Sequence, residues 1–299
     1  MKKTLISRRG FVASGAAALA ATQAHGKLAL PKKPGIQFGF TTYKWGKDWD
    51  LPTLIQNCIA TKSMGLELRT SMGWVHGVEP EIGAKKRAEV KALFADCPVT
   101  LLGVASGERY DSPDPAKLKA AMESTRKHIV LSHDIGATGV RVFPNDFHKD
   151  VPREKTIAQI ASSLNELGKF AKDHGQLLRL EAHGSAGELP SMKAIIDQVD
   201  SPAVGIKLNS SDRDNEGLGF EHQFNLVKDR LGDTVHVHDM FSETFPNQLQ
   251  IDLLVKSGWK GWMLLEQSSE VPDRVAALDK HRKQWEKMYR SALLRFGRV

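Results

Sequence analysis

Four pairs of polar residues in this 299-residue sequence stand two positions apart: Glu67 and Arg69, Glu181 and His183, Lys207 and Asn209, His236 and His238. On an extended strand that spacing points both members to one face. A further carboxylate, Glu266, directly follows the apolar run Trp262-Met263-Leu264-Leu265. Each of these groups closes a short apolar segment, where burying a lone charge is costly and burying several without partners is not sustainable. A divalent cation is the simplest common partner for the Glu181 and Glu266 carboxylates, one histidine and the Asn209 amide oxygen. Of His236 and His238, one reads as a ligand and the other as its hydrogen-bonding neighbour. Glu67 and Arg69 read equally as an ion pair closing the mouth of a fold or as substrate contacts, and His183 as a loop cap or a substrate contact. Trp45, Trp74 and Phe241 follow strand ends, where an aromatic either stacks on a sugar ring or fills the core.

The elements that must carry these residues follow one rhythm. Short β-like runs alternate with longer helical stretches, the pattern of parallel βα units. The runs are Ile36–Phe40, Gly65–Arg69, Val99–Val104, Gly139–Phe143, Leu177–Glu181, Val204–Asn209, Val235–Asp239 and Trp262–Glu266. Between the first two, Leu51, Leu54, Ile55, Cys58 and Ile59 fall at helical spacing, with a stop at Gly65, which makes Cys58 a core residue rather than a nucleophile. A second stripe runs through Ile157, Ile160, Ala161, Leu164, Leu167 and Ala171 to Gly175, and a last helix spans about Asp273 to Leu294. Eight such units predict a single α/β domain, a (β/α)8 barrel, over residues 35–296. No Gly-x-Gly-x-x-Gly or Gly-x-x-x-x-Gly-Lys-Ser/Thr motif supports the alternative, an open nucleotide-binding sheet. In a barrel the inward residues at the C-terminal strand ends form the site, and the polar pairs stand there.

Charge and composition limit the partners. The chain carries a formal charge of +7, with 41% hydrophobic and 26% charged residues, too apolar for disorder. Two cysteines cannot build a disulfide scaffold and show no zinc-finger spacing. Residues 1–26 contain Lys2, Lys3, Arg8 and Arg9 with no acid, then a short Ala-rich stretch. A basic start, a weakly apolar core and small residues before a cut describe an export signal, and Arg8-Arg9-Gly10-Phe11 points to the twin-arginine type. The expected partner is the Tat export machinery, which carries folded proteins, and the expected location is the periplasm. The core is too short for a membrane span. Residues 27–34 read as a basic, proline-containing linker. Removing the four signal charges lowers +7 to +3, and most of the argument for nucleic acid goes with them.

In this order and spacing, Gly65-Leu-Glu-Leu-Arg, Gly139-Val-Arg-Val-Phe, Glu181-Ala-His-Gly, His236-Val-His-Asp239 and the terminal Glu266 resemble the xylose isomerase-like barrel superfamily, in particular its sugar phosphate isomerase/epimerase branch. The resemblance covers essentially the whole mature chain. It implies one divalent metal ion (Mn, Co, Mg or Zn) held by Glu181, the Asn209 position, His236 and Glu266. The family's strand-six ligand is Asp, so Asn209 gives up one negative charge and weakens the expected hold on the metal. A family lysine before the strand-seven Asp is His238 here, and Lys207 takes its place as the cationic group. The implied activity is isomerisation or epimerisation of a sugar or keto-sugar by proton abstraction next to a carbonyl. Glu181 and Glu266 would serve as acid and base, with Lys207 and His238 assisting. Glu67, Arg69, His183, Trp45, Trp74 and Phe241 would contact the sugar. Elimination from a 3-keto-sugar or glycoside uses the same intermediate and is the alternative activity. A non-catalytic exported sugar-binding barrel, Asn209 marking a lost metal, is the alternative of another class. An abasic-site endonuclease needs more metal ligands than the chain offers.

Overall fold

The computed structural model describes residues 35–296, and the expected signal, linker and Tat motif lie outside the described residues. Strands and helices alternate from one end of this span to the other. They run β1 Ile36–Thr41, α1 Leu51–Thr61, β2 Gly65–Arg69, α2 Ala84–Ala95, β3 Thr100–Arg109, α3 Pro115–Asp134, β4 Gly139–Phe143, α4 Arg153–Asp173, β5 Leu177–Glu181, α5 Leu189–Ile196, β6 Val204–Lys207, α6 Phe220–Val227, β7 Thr234–Val237, α7 Asn247–Ser257, β8 Gly261–Leu265 and α8 Arg274–Phe296. All strand pairs are parallel, in the order β6-β5-β4-β3-β2-β1-β8-β7. The remaining seam is bridged by the His236 amide donating to the Leu208 carbonyl and the Gly232 amide to Ile206, each at 2.8 Å. The fold is a single (β/α)8 barrel.

Local chemistry sets the helix ends. Asp50 accepts the Thr53 amide at the start of α1, and Asp114 accepts those of Ala116 and Lys117 at the start of α3. These carboxylates satisfy amide groups the first turn leaves free. α1 buries Leu54, Ile55 and Cys58, and α4 buries Ile160, Leu164, Leu167 and Ala171, the stripes that the 3.6-residue period predicts. Burial pushes the Cys58 thiol up to about 12, in keeping with a core residue. Among the described residues no helix is long and apolar enough to cross a membrane.

Strand residues alternate sharply between the two faces. Leu66, Leu68, Val140, Val142, Leu178, Leu180, Val235 and Val237 are fully buried and pack outward against the helix ring. Many inward positions are glycine or polar, where most barrels place branched aliphatics. Gly39, Gly65, Gly103 and Gly139 line the lower half, and their missing side chains admit groups from other strands. The Trp262 ring lies against Gly65, and the Arg179 guanidinium lies against Gly103 and Gly139. Arg179 is fully buried and donates to both Asp233 oxygens at 2.7 and 2.9 Å, to the Leu102 carbonyl at 2.8 Å and to the Thr138 hydroxyl at 3.0 Å. The floor of the barrel is therefore an ion pair set in glycines, and the site rests on it.

Candidate active site

Above Arg179, β2 meets β6 and β7 across the barrel axis. Glu67 of β2 accepts both hydrogen bonds from the Lys207 ammonium of β6, at 2.7 and 2.8 Å. It also accepts Nε2–H of His236 of β7 at 2.8 Å and the Thr41 hydroxyl at 3.2 Å. Glu67, Lys207 and His236 are completely buried. Burial works against the Glu67 charge, but Lys207 and His236 hold its carboxyl well below the usual carboxylate range. Burial draws the Lys207 ammonium down even though Glu67 supports its charge. The expectation that Glu67 and Lys207 touch substrate is corrected by this geometry. They form a closed ion pair beneath the site, and Lys207, whose ammonium is already engaged by two carboxylate oxygens, is a supporting group.

The bond from Nε2 to Glu67 fixes the His236 tautomer and leaves the Nδ1 lone pair facing the mouth. There Nδ1 stands 3.0 Å from Glu181 Oε2 and 3.4 Å from Glu266 Oε2. Glu181 Oε2 and His236 Nδ1 are buried without an aligned hydrogen bond, and so is Oδ1 of Asn209. Glu181, His236 and Glu266 offer ligand atoms within 4.8 Å of one another, a grouping that could hold a metal ion. Two carboxylates and an imidazole, with the buried Asn209 amide oxygen just beyond β6, suit Mn, Co, Mg or Zn by donor type. In the protein alone Nδ1 of His236 carries a proton. Burial and Lys207 oppose it, but Glu181 and Glu266 raise the His236 imidazole to about 10. Burial likewise opposes the charges of Glu181 and Glu266. Arg141 and His236 overcome it for Glu181 and His236 does so for Glu266, so both carboxyls sit below their ordinary value.

The strands end earlier than the sequence pattern predicts. β6 stops at Lys207 and β7 at Val237, so Asn209 and His238 stand in the loops just beyond. In the loop after β6, Ser210 makes a left-handed turn, with φ +47°, and its hydroxyl donates to the His236 carbonyl of β7 at 2.8 Å. His238 is half-buried, and its Nδ1–H donates to the Glu266 carbonyl at 3.1 Å. That bond leaves Nε2 with the lone pair. His238 and Asn209 line a cleft of about 350 Å³ with Ser211, Asp212, Asp239 and Ser242.

The other expected contacts scatter. His183 is exposed beside Phe143, ring centroids 4.6 Å apart. Arg69 is half-buried with its guanidinium 5.9 Å from the same ring. Trp45 is 2% exposed, donates its indole N–H to the Ser269 carbonyl at 2.7 Å and packs edge-on against His281. It is a core aromatic, which corrects its reading as a sugar platform. Phe241 is exposed at the rim with the Lys280 ammonium 4.7 Å from its ring centre, facing α8. Trp74 is half-buried near Tyr43. One site residue escaped the sequence reading. Arg141 of β4 is 1% exposed, with Nε 3.3 Å from Glu181 Oε2. Its signal was a charged side chain in the middle of an apolar strand.

The family model for the xylose isomerase-like TIM barrel matches residues 65–293. No curated protein sequence matches the chain. Among solved structures, 3-keto-D-glucoside 4-epimerase from E. coli superposes with a TM-score of 0.70 at 14% identity, covering 85% of this chain and 100% of that one. An L-ribulose 3-epimerase superposes at 0.69 and 16% identity, covering 87% and 97%. D-Psicose 3-epimerase from Clostridium cellulolyticum H10 gives 0.66 at 18% identity, covering 88% and 99%. At these identities the likeness is one of fold.

Proposed function

The chain belongs to the xylose isomerase-like TIM barrel family, and we propose that within it the chain is a metal-dependent isomerase or epimerase of a sugar or keto-sugar. The observation that carries this reading is the group of ligand atoms from Glu181, His236 and Glu266 lying within 4.8 Å of one another, with the buried Asn209 Oδ1 left without a hydrogen bond. The epimerases among the structural neighbours support the substrate class. Glu181, Asn209, His236 and Glu266 would hold one divalent ion. When bound, that ion supplies Lewis-acid polarisation of the substrate carbonyl.

Everything else falls to the protein. Glu181 and Glu266 come from strands on different sides of the ring, and both are ionised at neutral pH. One takes the proton from the carbon next to the carbonyl and the electron pair moves to the oxygen, giving an enediolate. Epimerisation follows when the other carboxylate, having first taken a proton from water, delivers it to the opposite face while the first gives its proton back to solvent. Isomerisation follows when the first carboxyl returns its proton to the neighbouring carbon and the hydroxyl proton passes between the two oxygens. Glu67 and Lys207 keep the His236 ring fixed beneath, so that the two carboxylates do not shift as charge moves. His238, with Nε2 open to the cleft, exchanges a proton with a substrate oxygen.

That same Nε2 favours a second reading. Once it has taken a proton from a substrate hydroxyl, His238 could pass that proton to a departing β-oxygen, turning the enediolate toward elimination from a 3-keto-glycoside. We propose further that residues 1–26 direct export of the folded barrel to the periplasm. Metal analysis of the purified protein with Mn and Co titration tests the first premise, and absence of binding in both leaves a sugar-binding barrel without catalysis. Incubation with ketoses and 3-keto-glucosides in heavy water tests the chemistry. Deuterium should enter at the carbon next to the carbonyl, and exchange that persists in Glu266→Gln would remove that residue from proton transfer.

A further inference from the structure

Two arginines on the wall opposite β6–β8 have hydrogen-bond donors that the protein does not use. Arg69 of β2 and Arg141 of β4 both pair in register with Ala105 of β3, so they stand level on either side of one small residue. Both guanidiniums lie on the ring of Phe143, at 5.9 and 4.1 Å from its centre. Nε and Nη1 of Arg141 and Nε of Arg69 are buried without a hydrogen-bond partner. Among the described residues, no ion pair joins Arg69 to a carboxylate. The only one at Arg141 is the 3.3 Å approach to Glu181, which a cation would share.

Two facts make these donors more than spare polarity. A buried guanidinium with open N–H groups is expensive unless an acceptor arrives. The site's charge also leans positive. Glu67 and Arg179 are neutralised by Lys207 and Asp233, so the two guanidiniums already balance Glu181 and Glu266. A divalent ion, with Asn209 uncharged, would add positive charge that none of these groups balances on the arginine wall; Asp212 and Asp239 lie at the cleft beside Asn209 and His238. We infer that the arginine pair with Phe143 between them is a subsite for an anionic oxygen group on the sugar, a carboxylate. The substrate is then a sugar acid that keeps a separate carbonyl, of the uronate or keto-aldonate class. A planar two-oxygen group matches the edge of a guanidinium, and a phosphoryl group shares its charge without its shape. The inference names the substrate of the reading above and rests on its sugar site.

Calorimetric titration of the full chain, with and without Mn²⁺, separates the possibilities. The probes are D-glucuronate, D-galacturonate and D-gluconate against D-glucose, D-galactose and glucose 6-phosphate. At least one acid should bind roughly ten- to a hundredfold more tightly than its neutral counterpart. That margin should vanish in Arg69→Gln and Arg141→Gln. Arg69 is half-buried, so Arg69→Gln keeps the test open if Arg141→Gln does not fold. Equal affinity for acids and neutral sugars, or a margin that survives both variants, overturns the inference. Tighter binding of glucose 6-phosphate than of every acid overturns the carboxylate assignment. If the arginines served only the enediolate oxygen, neutral ketoses would lose deuterium exchange in Arg69→Gln with no change in binding preference, which also counts against it. Acid binding without exchange in any substrate would leave the subsite standing and the isomerase reading failed.

Discussion

At the scale of single residues, the site is governed by competition for the Nδ1 lone pair of His236. In the metal-free protein the imidazole is raised to about 10 by its two carboxylate neighbours, so at neutral pH it holds a proton that a metal must displace. Binding at pH 7 should therefore release about one proton, read as a dependence of calorimetric heat on buffer ionisation. Apparent affinity should rise about tenfold per pH unit toward pH 10. The metal-free fold responds in the opposite sense. Its His236 pKa is raised above the ordinary 6.5, so this stabilisation is complete below pH 6.5 and is lost as pH climbs through 10. Denaturant midpoints of metal-free protein across that range check it. The Glu67–Lys207 pair beneath is a second residue-level lever. Glu67→Gln leaves a fully buried ammonium unpaired and should destabilise by about 3–5 kcal/mol. Adding Lys207→Met should restore much of that, measured by denaturant unfolding.

The strands form a normal helix-facing layer with an unusual inner one. Apolar alternation was enough to place eight strands, because outward residues such as Val140 and Leu178 face the helices, as in any such barrel. The inner face resisted because glycines and charges there report on partners far away in sequence. Gly139 shows why. A Cβ on it would stand 2.7 Å from Cζ of Arg179 and 2.6 Å from the Leu177 carbonyl oxygen. Gly139→Ala must push aside a guanidinium held by Asp233, Thr138 and Leu102. It should lower stability by about 1–3 kcal/mol, visible as a lower thermal midpoint. Strand ends were likewise hidden. The loops after β6 and β7 begin two residues before the pattern suggests, and the left-handed Ser210 of the first is tied to β7 through the His236 carbonyl.

For the whole molecule, one barrel carries every group considered for chemistry, and the charge excess of the chain belongs largely to residues outside it. If export needs the arginine pair, Arg8→Lys with Arg9→Lys should leave the protein in the cytoplasm, as cell fractionation would show. Because that route carries folded proteins, Gly139→Ala should also reduce the exported fraction.

The sequence by itself determined the rhythm of the barrel, the helix stripes and the inward carboxylates Glu181 and Glu266, since alternation and helical period are local properties. His236 could not be told from His238 by spacing, because both face inward. The tertiary structure decided between them. Only there does Glu67, 169 residues away in the chain, bond Nε2 of His236 and turn Nδ1 toward the carboxylates. The same closure of the sheet buried Lys207 under the site, sent Trp45 into the core and brought Arg141 beside Glu181. Those outcomes depend on which side chains meet across the axis, and the order of residues along a strand carries no record of that.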